Sequence, residues 1–377
     1  MNPRPYQECV FCVMDTTDPE ITFDEQGKCC HCTAFLESRA NHTYRGEESE
    51  RDLDRTIEQI KRAGRGREYD CVAGVSGGVD SSYLLYVAKE KGLRPLAVHM
   101  DNGWNSDKAV LNIKNVTRKL GVDYESYVLD WEEFKDVQLA FLKASIPEAE
   151  TPTDIAIPGA LHEVAANYGV KYILSGGNLA TEGILPRSWH YDVRDLKYFN
   201  YIQRSFGSRK LRKFPTFGYR TEIYYKLIKG IRMVYPLDMV PYVKADATKL
   251  LTETFGWKPY GGKHHESTYT KFIQSYYLFE KFGIDYRRAT LSSRICAGEI
   301  DRGQAIEKLQ SQPYELADIE NDKQYIAKKL GISIEEFEGI LNRPPKWSWD
   351  YPTDQRKLGL IYDTYRWIYR KENLDRF

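Results

Sequence analysis

Apolar residues along this chain recur in two rhythms. Asp70–Val75, Leu93–Met100, Asp123–Leu129 and Val170–Leu174 are short runs of strand length. Ser82–Lys89, Lys108–Leu120 and Gly159–Tyr168 space their apolar residues as helices do, and Val110, Ile113, Val116 and Leu120 mark the expected inner face of the second. Strands alternating with amphipathic helices predict an α/β fold with a doubly wound parallel sheet, whose ligands sit at the carboxyl ends of the strands. From about Asp246 the pattern is helical to the end. Ser333 and Glu336 have the spacing of a capping box, and RPPKWSWDYP precedes a last helix at Gln355–Tyr369. No repeat or low-complexity segment is present. The expected division is a small cysteine module at 1–45, a nucleotide domain at 46–245 and a helical substrate or lid domain at 246–377.

The chain has 377 residues, enough for one large or two ordinary domains. Acidic and basic residues balance at 54 each, so no overall field recruits nucleic acid or an anionic membrane. The start of the chain is polar, and no window is long and apolar enough to span a bilayer. A cytoplasmic protein that engages neither nucleic acid nor membrane is expected.

Seven cysteines, an odd count, argue against a disulfide framework in a reducing compartment. Cys9-x-x-Cys12 and Cys29-x-x-Cys32 each present two thiolates from one tight turn, and two such turns make a tetrahedral Zn2+ site. Cys30 and His31 lie inside the second pair and blur the ligand choice, although Cys32 keeps the two-residue gap. Four filled positions make the site structural, and a module this small would fold on its metal.

The join between the first strand and its helix reads Ser76-Gly77-Gly78-Val79-Asp80-Ser81-Ser82, preceded by Gly74. A plain strand-to-helix turn needs one cap and perhaps one glycine. Here Gly77 and Gly78 allow close backbone approach to an anion, while Ser76, Ser81 and Ser82 add donors at a helix start. Asp80 would repel a bare phosphate, so it implies Mg2+ or a loop-ordering role. The loop is neither G-x-x-x-x-G-K-[ST] nor G-x-G-x-x-G. Two other strand ends, Asp101-Asn-Gly and Ser175-Gly176-Gly177-Asn178, are expected to reach the same crevice.

SGGVDSS after a strand resembles the PP-loop of ATP-pyrophosphatases, the group that includes NAD synthetase, asparagine synthetase and tRNA thiolation enzymes. The resemblance implies that the loop holds the pyrophosphate of ATP and that chemistry occurs at the α-phosphorus. With TPTDIAIPGALHE at 151–163, VYPLDMVPY at 234–242, GGKHHESTYTKFIQSYYLFEKFGIDYRRATLSS at 261–293 and the N-terminal cysteine frame, the chain resembles the N-acetyl sugar amidotransferases of bacterial surface-polysaccharide (lipopolysaccharide O-antigen) pathways. That family implies an enzyme that adenylates the acetamido oxygen of a nucleotide-activated N-acetyl sugar and replaces it with ammonia, giving an acetamidino sugar. The ammonia would come from a glutaminase subunit paired with a HisF-like barrel protein.

Lys263, His264, His265 and Glu266 follow two glycines at an expected helix entry. Lys263 could meet phosphate, Glu266 could take a proton from attacking ammonia, and either histidine could do both; a capped helix start with solvated charges is the plainer alternative. Arg287 and Arg288 could bind phosphate or solvate a turn. Cys296 invites comparison with the persulfide cysteine of tRNA thiolases, but a small buried residue is the favoured reading. The basic, aromatic stretch 204–232 could bind RNA, a sugar diphosphate or an acidic partner, which leaves a tRNA thiolase as the competing function. A subunit that merely binds ATP is a third class.

Overall fold

The computed structural model describes residues 5–42, 44–259 and 266–361. Its centre is a five-stranded sheet: β1 (Cys71–Gly74), β2 (Pro95–Asp101), β3 (Tyr124–Val128), β4 (Tyr172–Leu174) and β5 (Arg232–Val234). The order is β3-β2-β1-β4-β5, and every pairing is parallel. The chain runs outward from β1 to β3, then returns to place β4 on the other side of β1. That reversal makes the carboxyl ends of β1 and β4 a topological switch point, where a crevice opens. The doubly wound sheet read from the sequence is therefore present.

The first six helices are α1 (Cys30–His42), α2 (Glu47–Ala63), α3 (Val79–Glu90), α4 (Asp107–Leu120), α5 (Trp131–Ala144) and α6 (Thr151–Asn167). α3 begins three residues earlier than expected, so Asp80, Ser81 and Ser82 occupy its first turn rather than the preceding loop. α4 starts on Ser106, whose side chain accepts from the Ala109 amide, and stops at Gly121 in the left-handed conformation. Its inner face is Ala109, Asn112, Ile113, Val116 and Thr117, while Val110 points outward at 49% exposure. The apolar count favoured Val110, but a buried asparagine holds that face for a structural reason given below.

α6 begins at Thr151, eight residues before the expected Gly159. Pro152 sits in the first turn, where no helical N–H is needed, and Pro158 lies inside the helix. Two prolines hid a helix that starts beside the crevice. β5 was also unexpected, because Arg232-Met-Val is short and follows a basic segment. It adds a fourth strand end to the crevice, continuing into Tyr235 and a 3-10 turn at Pro236–Met239.

Beyond Lys244 the described chain is helical, as expected. Thr268–Phe272, Ile273–Tyr277 and Leu278–Phe282 follow one another directly, the middle segment being a π turn. Ser333 caps its helix by accepting from the Glu336 amide, whereas the Glu336 carboxylate turns to Lys143 at 3.6 Å. Of the expected last helix, 355–361 is helical and the remainder lies outside the described residues. Among the described residues no helix is long and apolar enough to cross a membrane. The N-terminal cysteines, α5 and the helices from 268 onward share one apolar core that includes Phe35, Phe141, Phe199, Tyr269 and Phe337.

Candidate active site

The loop after β1 is held by its own hydroxyls. The Ser76 amide donates to Ser81 Oγ at 3.2 Å, the Gly78 amide donates to Ser76 Oγ at 3.2 Å, and the two hydroxyls lie 3.3 Å apart. Gly77 has a φ of +83°, and a Cβ there would stand 2.5 Å from the Ala109 carbonyl oxygen. Its own carbonyl accepts from Trp257 Nε1 at 2.9 Å and from the buried Asn112 Nδ2 at 3.4 Å. Asn112 also exchanges hydrogen bonds with the Lys258 backbone at 2.8 and 2.9 Å. This explains a buried polar residue on the face of α4: it ties loop, helix and the 257–258 segment together. α3 starts at Gly78 with no side-chain cap. An uncapped start of this kind leaves backbone N–H groups that can meet an anion.

The loop after β4 packs directly on this turn. A Cβ on Gly176 would come within 2.9 Å of the Ser81 amide nitrogen, so only glycine fits without displacement. The Gly177 amide donates to Ser175 Oγ at 3.2 Å. Asn178 caps the short helix Leu179–Glu182 by accepting from the Thr181 amide at 3.0 Å, and Asp101 accepts from the Gly103 amide at 2.8 Å. Both side chains order their own loops and are not on the cavity wall, nor are Gly77 and Ser82. Gly74, Ser76, Gly78, Asp80, Ser81, Gly176 and Gly177 do line it.

Two residues after β5, neither named as a site residue from the sequence, adjoin Asp80 and the cavity respectively. The Tyr242 phenol donates to the Asp80 carboxylate, and burial, followed by the Asp80 charge, pushes that phenol well above its ordinary range. Lys244 is the one lysine or arginine on the cavity wall among the described residues. Both come from VYPLDMVPYVK, whose first nine residues carry the family resemblance without marking either residue for a role.

The cavity has a volume of about 930 Å³, room for a nucleotide and part of a second molecule. Part of its wall is acidic, with Glu148, Glu150, Asp154, Glu182 and Glu266. Burial pushes Glu148 up to about 7. Burial and then the Asp154 charge push Glu150 up to about 8. Glu266 reaches the wall because backbone bonds fix its segment to the β2 loop, from the Ser106 amide to the Glu266 carbonyl at 2.7 Å and from the Thr268 amide to the Trp104 carbonyl at 3.1 Å. Lys263, His264 and His265 lie outside the described residues.

Cys9, Cys12, Cys29 and Cys32 converge, their sulfurs within 4.8 Å of one another and all four residues buried. The Sγ–Sγ separations are 3.9 Å for Cys9–Cys32, 3.7 Å for Cys12–Cys29 and 3.6 Å for Cys29–Cys32. A tetrahedron with metal–sulfur bonds of about 2.3 Å has edges of about 3.8 Å, so the set fits a four-coordinate ion. Amides of Phe11, Cys12 and Cys29 donate to Cys9 Sγ at 3.4, 3.4 and 3.2 Å, which favours thiolate. The ambiguity inside the second pair disappears: the Thr22 amide donates to Cys30 Sγ at 3.4 Å, and His31 Nε2 is 2.6 Å from Asp18.

Helix Arg287–Ala297 joins this centre to the cavity. Arg288 meets Glu8 at 2.9 Å and Asp15 at 3.1 Å, Ser292 Oγ accepts from the Val13 amide at 3.2 Å, and Cys296 Sγ donates to Cys32 Sγ at 3.6 Å. Ala289 and Thr290, on another face, line the cavity. Arg287 pairs with Asp285 at 2.7 Å. The two arginines therefore neither bind phosphate nor solvate a turn; they brace this helix. Cys296 is buried against the metal cluster, as the plainer reading had it, and away from the cavity. Part of the basic stretch is spent on α5: the amides of Arg212, Lys213 and Phe214 each donate to the Glu133 carboxylate at 2.9 Å, and Arg209 meets Glu132 at 2.9 Å.

Sequence comparison agrees with this layout. Residues 266–368 match the family described as LPS biosynthesis protein WbpG-like, C-terminal domain, and residues 70–160 match queuosine biosynthesis protein QueC. The uncharacterized protein MJ1599 of Methanocaldococcus jannaschii is 26% identical over 230 residues, 59% of this chain and 73% of that protein. The tRNA-specific 2-thiouridylase MnmA 2 of Fusobacterium nucleatum is 25% identical over 143 residues, and this chain spans 41% of its length against 34% of its own. The solved NMN synthetase of Francisella tularensis aligns over 59% of this chain and 99% of its own, at 12% identity and a TM-score of 0.30, too low to carry an argument. The N-terminal match begins at β1 and takes in the loop of hydroxyls and glycines, and the C-terminal match begins at the cavity residue Glu266. The chain is thus similar to queuosine biosynthesis protein QueC on the loop side of the cavity and to the WbpG-like C-terminal domain on its helical side.

Proposed function

We propose that the chain is an ATP-dependent amidotransferase that adenylates the acetamido oxygen of a nucleotide-activated N-acetyl sugar and replaces it with ammonia, in surface-polysaccharide (lipopolysaccharide O-antigen) biosynthesis. The observation that carries this reading is the composition of one cavity. The PP-loop supplies one wall, and Glu266, Ser267, Thr270, Gln274 and Tyr286, all within the WbpG-like region, supply another. An activating loop thus faces the residues of the family-specific domain.

The chemistry is coherent with those groups. An amide oxygen leaves poorly, and adenylation turns it into a phosphate monoester while making the carbon electrophilic. Loop amides, the hydroxyls of Ser76 and Ser81, and Lys244 would stabilise charge on the phosphates, with Asp80 holding Mg2+ beside them. The four-cysteine centre takes Zn2+ and serves as a brace for helix Arg287–Ala297, since four thiolates leave no open position.

Ammonia would arrive from a glutaminase subunit with a HisF-like barrel. Burial pushes the Cys71 thiol up in β1, four cysteines form the metal cluster, and Cys296 abuts it; among the described residues no cysteine lines the cavity. The same placement weighs against thiolase chemistry, which needs a reactive sulfur at the activated carbon. Incubation with ATP, Mg2+, ammonium and a panel of UDP- and CMP-linked diacetamido sugars tests the proposal. A product in which NH has replaced one oxygen is expected, with glutamine inert unless the partners are added. Turnover with sulfide but not ammonia would overturn it.

A further inference from the structure

Nitrogen transfer has a requirement that the PP-loop does not meet. When ammonia adds to the O-adenylated carbon, its lone pair forms the C–N bond and the nitrogen becomes positively charged. One proton must leave that nitrogen before its lone pair can help expel AMP, which departs with the C–O bonding electrons to leave an amidinium carbon. A group in the cavity has to accept the proton.

Resting on the amidotransferase reading, we propose that Glu150 is that acceptor. It lies on the cavity wall at the N-terminus of α6, opposite helix 268–282 of the WbpG-like region. Thr270 Oγ1 donates to Glu150 Oε1 at 2.8 Å and Gln274 Nε2 donates to Oε2 at 3.4 Å, so the carboxyl is oriented from the family-specific side. Among the described residues no lysine or arginine pairs with it. The charged and titratable groups that face it are Asp154 one turn along α6, Glu266 on the 266–267 segment, and the phenols of Tyr269 and Tyr286; His190 stands 3.9 Å from Asp154. Burial first, then Asp154, and to a lesser degree Glu266, raise the Glu150 proton affinity to about 8. An ordinary carboxylate, at about 4.3, is far too weak a base for an ammonium-like nitrogen, whereas Glu150 is closely matched to it. The same carboxylates attract ammonium, the conjugate acid of the nucleophile, to this end of the cavity.

The sequence offers Glu266, His264 or His265 for this step. Glu150 is favoured because Thr270 and Gln274 of helix 268–282 both donate to its carboxyl. The proton passes from nitrogen to Glu150 and then to solvent, with no further reactant.

The test separates adenylation from transfer. ATP–pyrophosphate exchange is measured without ammonium on UDP- and CMP-linked diacetamido sugars, and amidine formation is measured between pH 6.5 and 9.5 with free ammonia held constant. The wild type should show a rate rising through a midpoint near 8. Glu150→Gln should keep exchange within about twofold, lose about 10²-fold or more of transfer, and lose the pH rise. Thr270→Val, which removes a hydrogen bond favouring the charged form, should move the midpoint upward and guards against a folding defect in the first variant. Unchanged transfer and pH profile in Glu150→Gln, or an equal loss of exchange and transfer, would overturn the assignment. Absence of exchange in the wild type on every sugar would refute the amidotransferase reading itself, and the assignment with it.

Discussion

Gly77→Ala is the substitution whose cost the structure states most directly. Residue 77 holds φ at +83°, and the added methyl would meet the Ala109 carbonyl oxygen at 2.5 Å, the carbonyl carbon at 3.0 Å and Ala109 Cα at 3.0 Å. All three are α4 backbone atoms, so no side chain can swing away. The left-handed backbone costs about 1–2 kcal/mol for an L-residue, and forcing a methylene into a closed contact adds about 1–3 kcal/mol. Gly121→Ala is the matched control at the end of the same helix: φ is +59° and nothing lies within 4 Å, so only the backbone cost applies. At about 2.1 cal/mol/K of unfolding entropy per residue, a chain of 377 residues loses roughly 1.3 °C for each kcal/mol. Calorimetry should therefore show Gly121→Ala lowered by about 1–2 °C and Gly77→Ala by about 3–6 °C. AMP release should separate them more sharply. Relief of the clash moves the turn that carries Ser76 and Gly78, and a displacement of about 1 Å costs on the order of 10²-fold in rate, while Gly121→Ala should leave the rate unchanged. Equal Tm values and equal rates for the two variants would refute the claim that the Gly77–Ala109 contact positions the loop.

Tyr242→Phe removes the phenol from Asp80; a hydrogen bond to a charged group is worth about 1.5–3 kcal/mol of stability. Tm should therefore fall by about 2–4 °C, and AMP release should fall with it as Asp80 loses its anchor, whereas an unchanged Tm and rate would remove Tyr242 from the site. Lys244→Ala should raise the KM for ATP by about tenfold, and Lys244→Arg should recover much of that, as expected for a cation on phosphate; unchanged KM in the alanine variant would remove Lys244 from the site. Freshly purified protein should contain one zinc per chain by elemental analysis, and Cys9→Ser should lower the soluble yield more than the specific activity, because the centre braces helix Arg287–Ala297 from the side away from the cavity. Metal-free protein of undiminished stability would contradict that role.

Four strands were legible because each is an apolar run bounded by turn residues, and the loop after the first was legible because glycines and hydroxyls have few other reasons to gather there. The metal ligands were legible from two equal spacings. What stayed hidden depends on tertiary contact. Arg232-Met-Val reads as part of a basic stretch and becomes β5 only when paired with β4. Pro152 and Pro158 disguised the first half of α6, and with it the position of Glu150. Asn112 broke the apolar stripe of α4 because it serves the Gly77 carbonyl and Lys258, a partner 146 residues away. Tyr242 and Lys244 carry no spacing signal, since their partners are reached through the fold. Arg287 and Arg288 read equally as anion ligands or a solvated turn, and only the fold brings Asp285, Glu8 and Asp15 against them.

The fate of a labelled oxygen tests the central claim most directly. A diacetamido nucleotide sugar carrying 18O in its acetamido groups is incubated with ATP, Mg2+ and ammonium, and the nucleotide products are read by mass spectrometry. AMP and pyrophosphate should form in equal amounts, with the label in the AMP phosphate once per amidine made. Label left in the sugar or released as water, or ADP and free phosphate in place of AMP and pyrophosphate, would contradict adenylation of the acetamido oxygen.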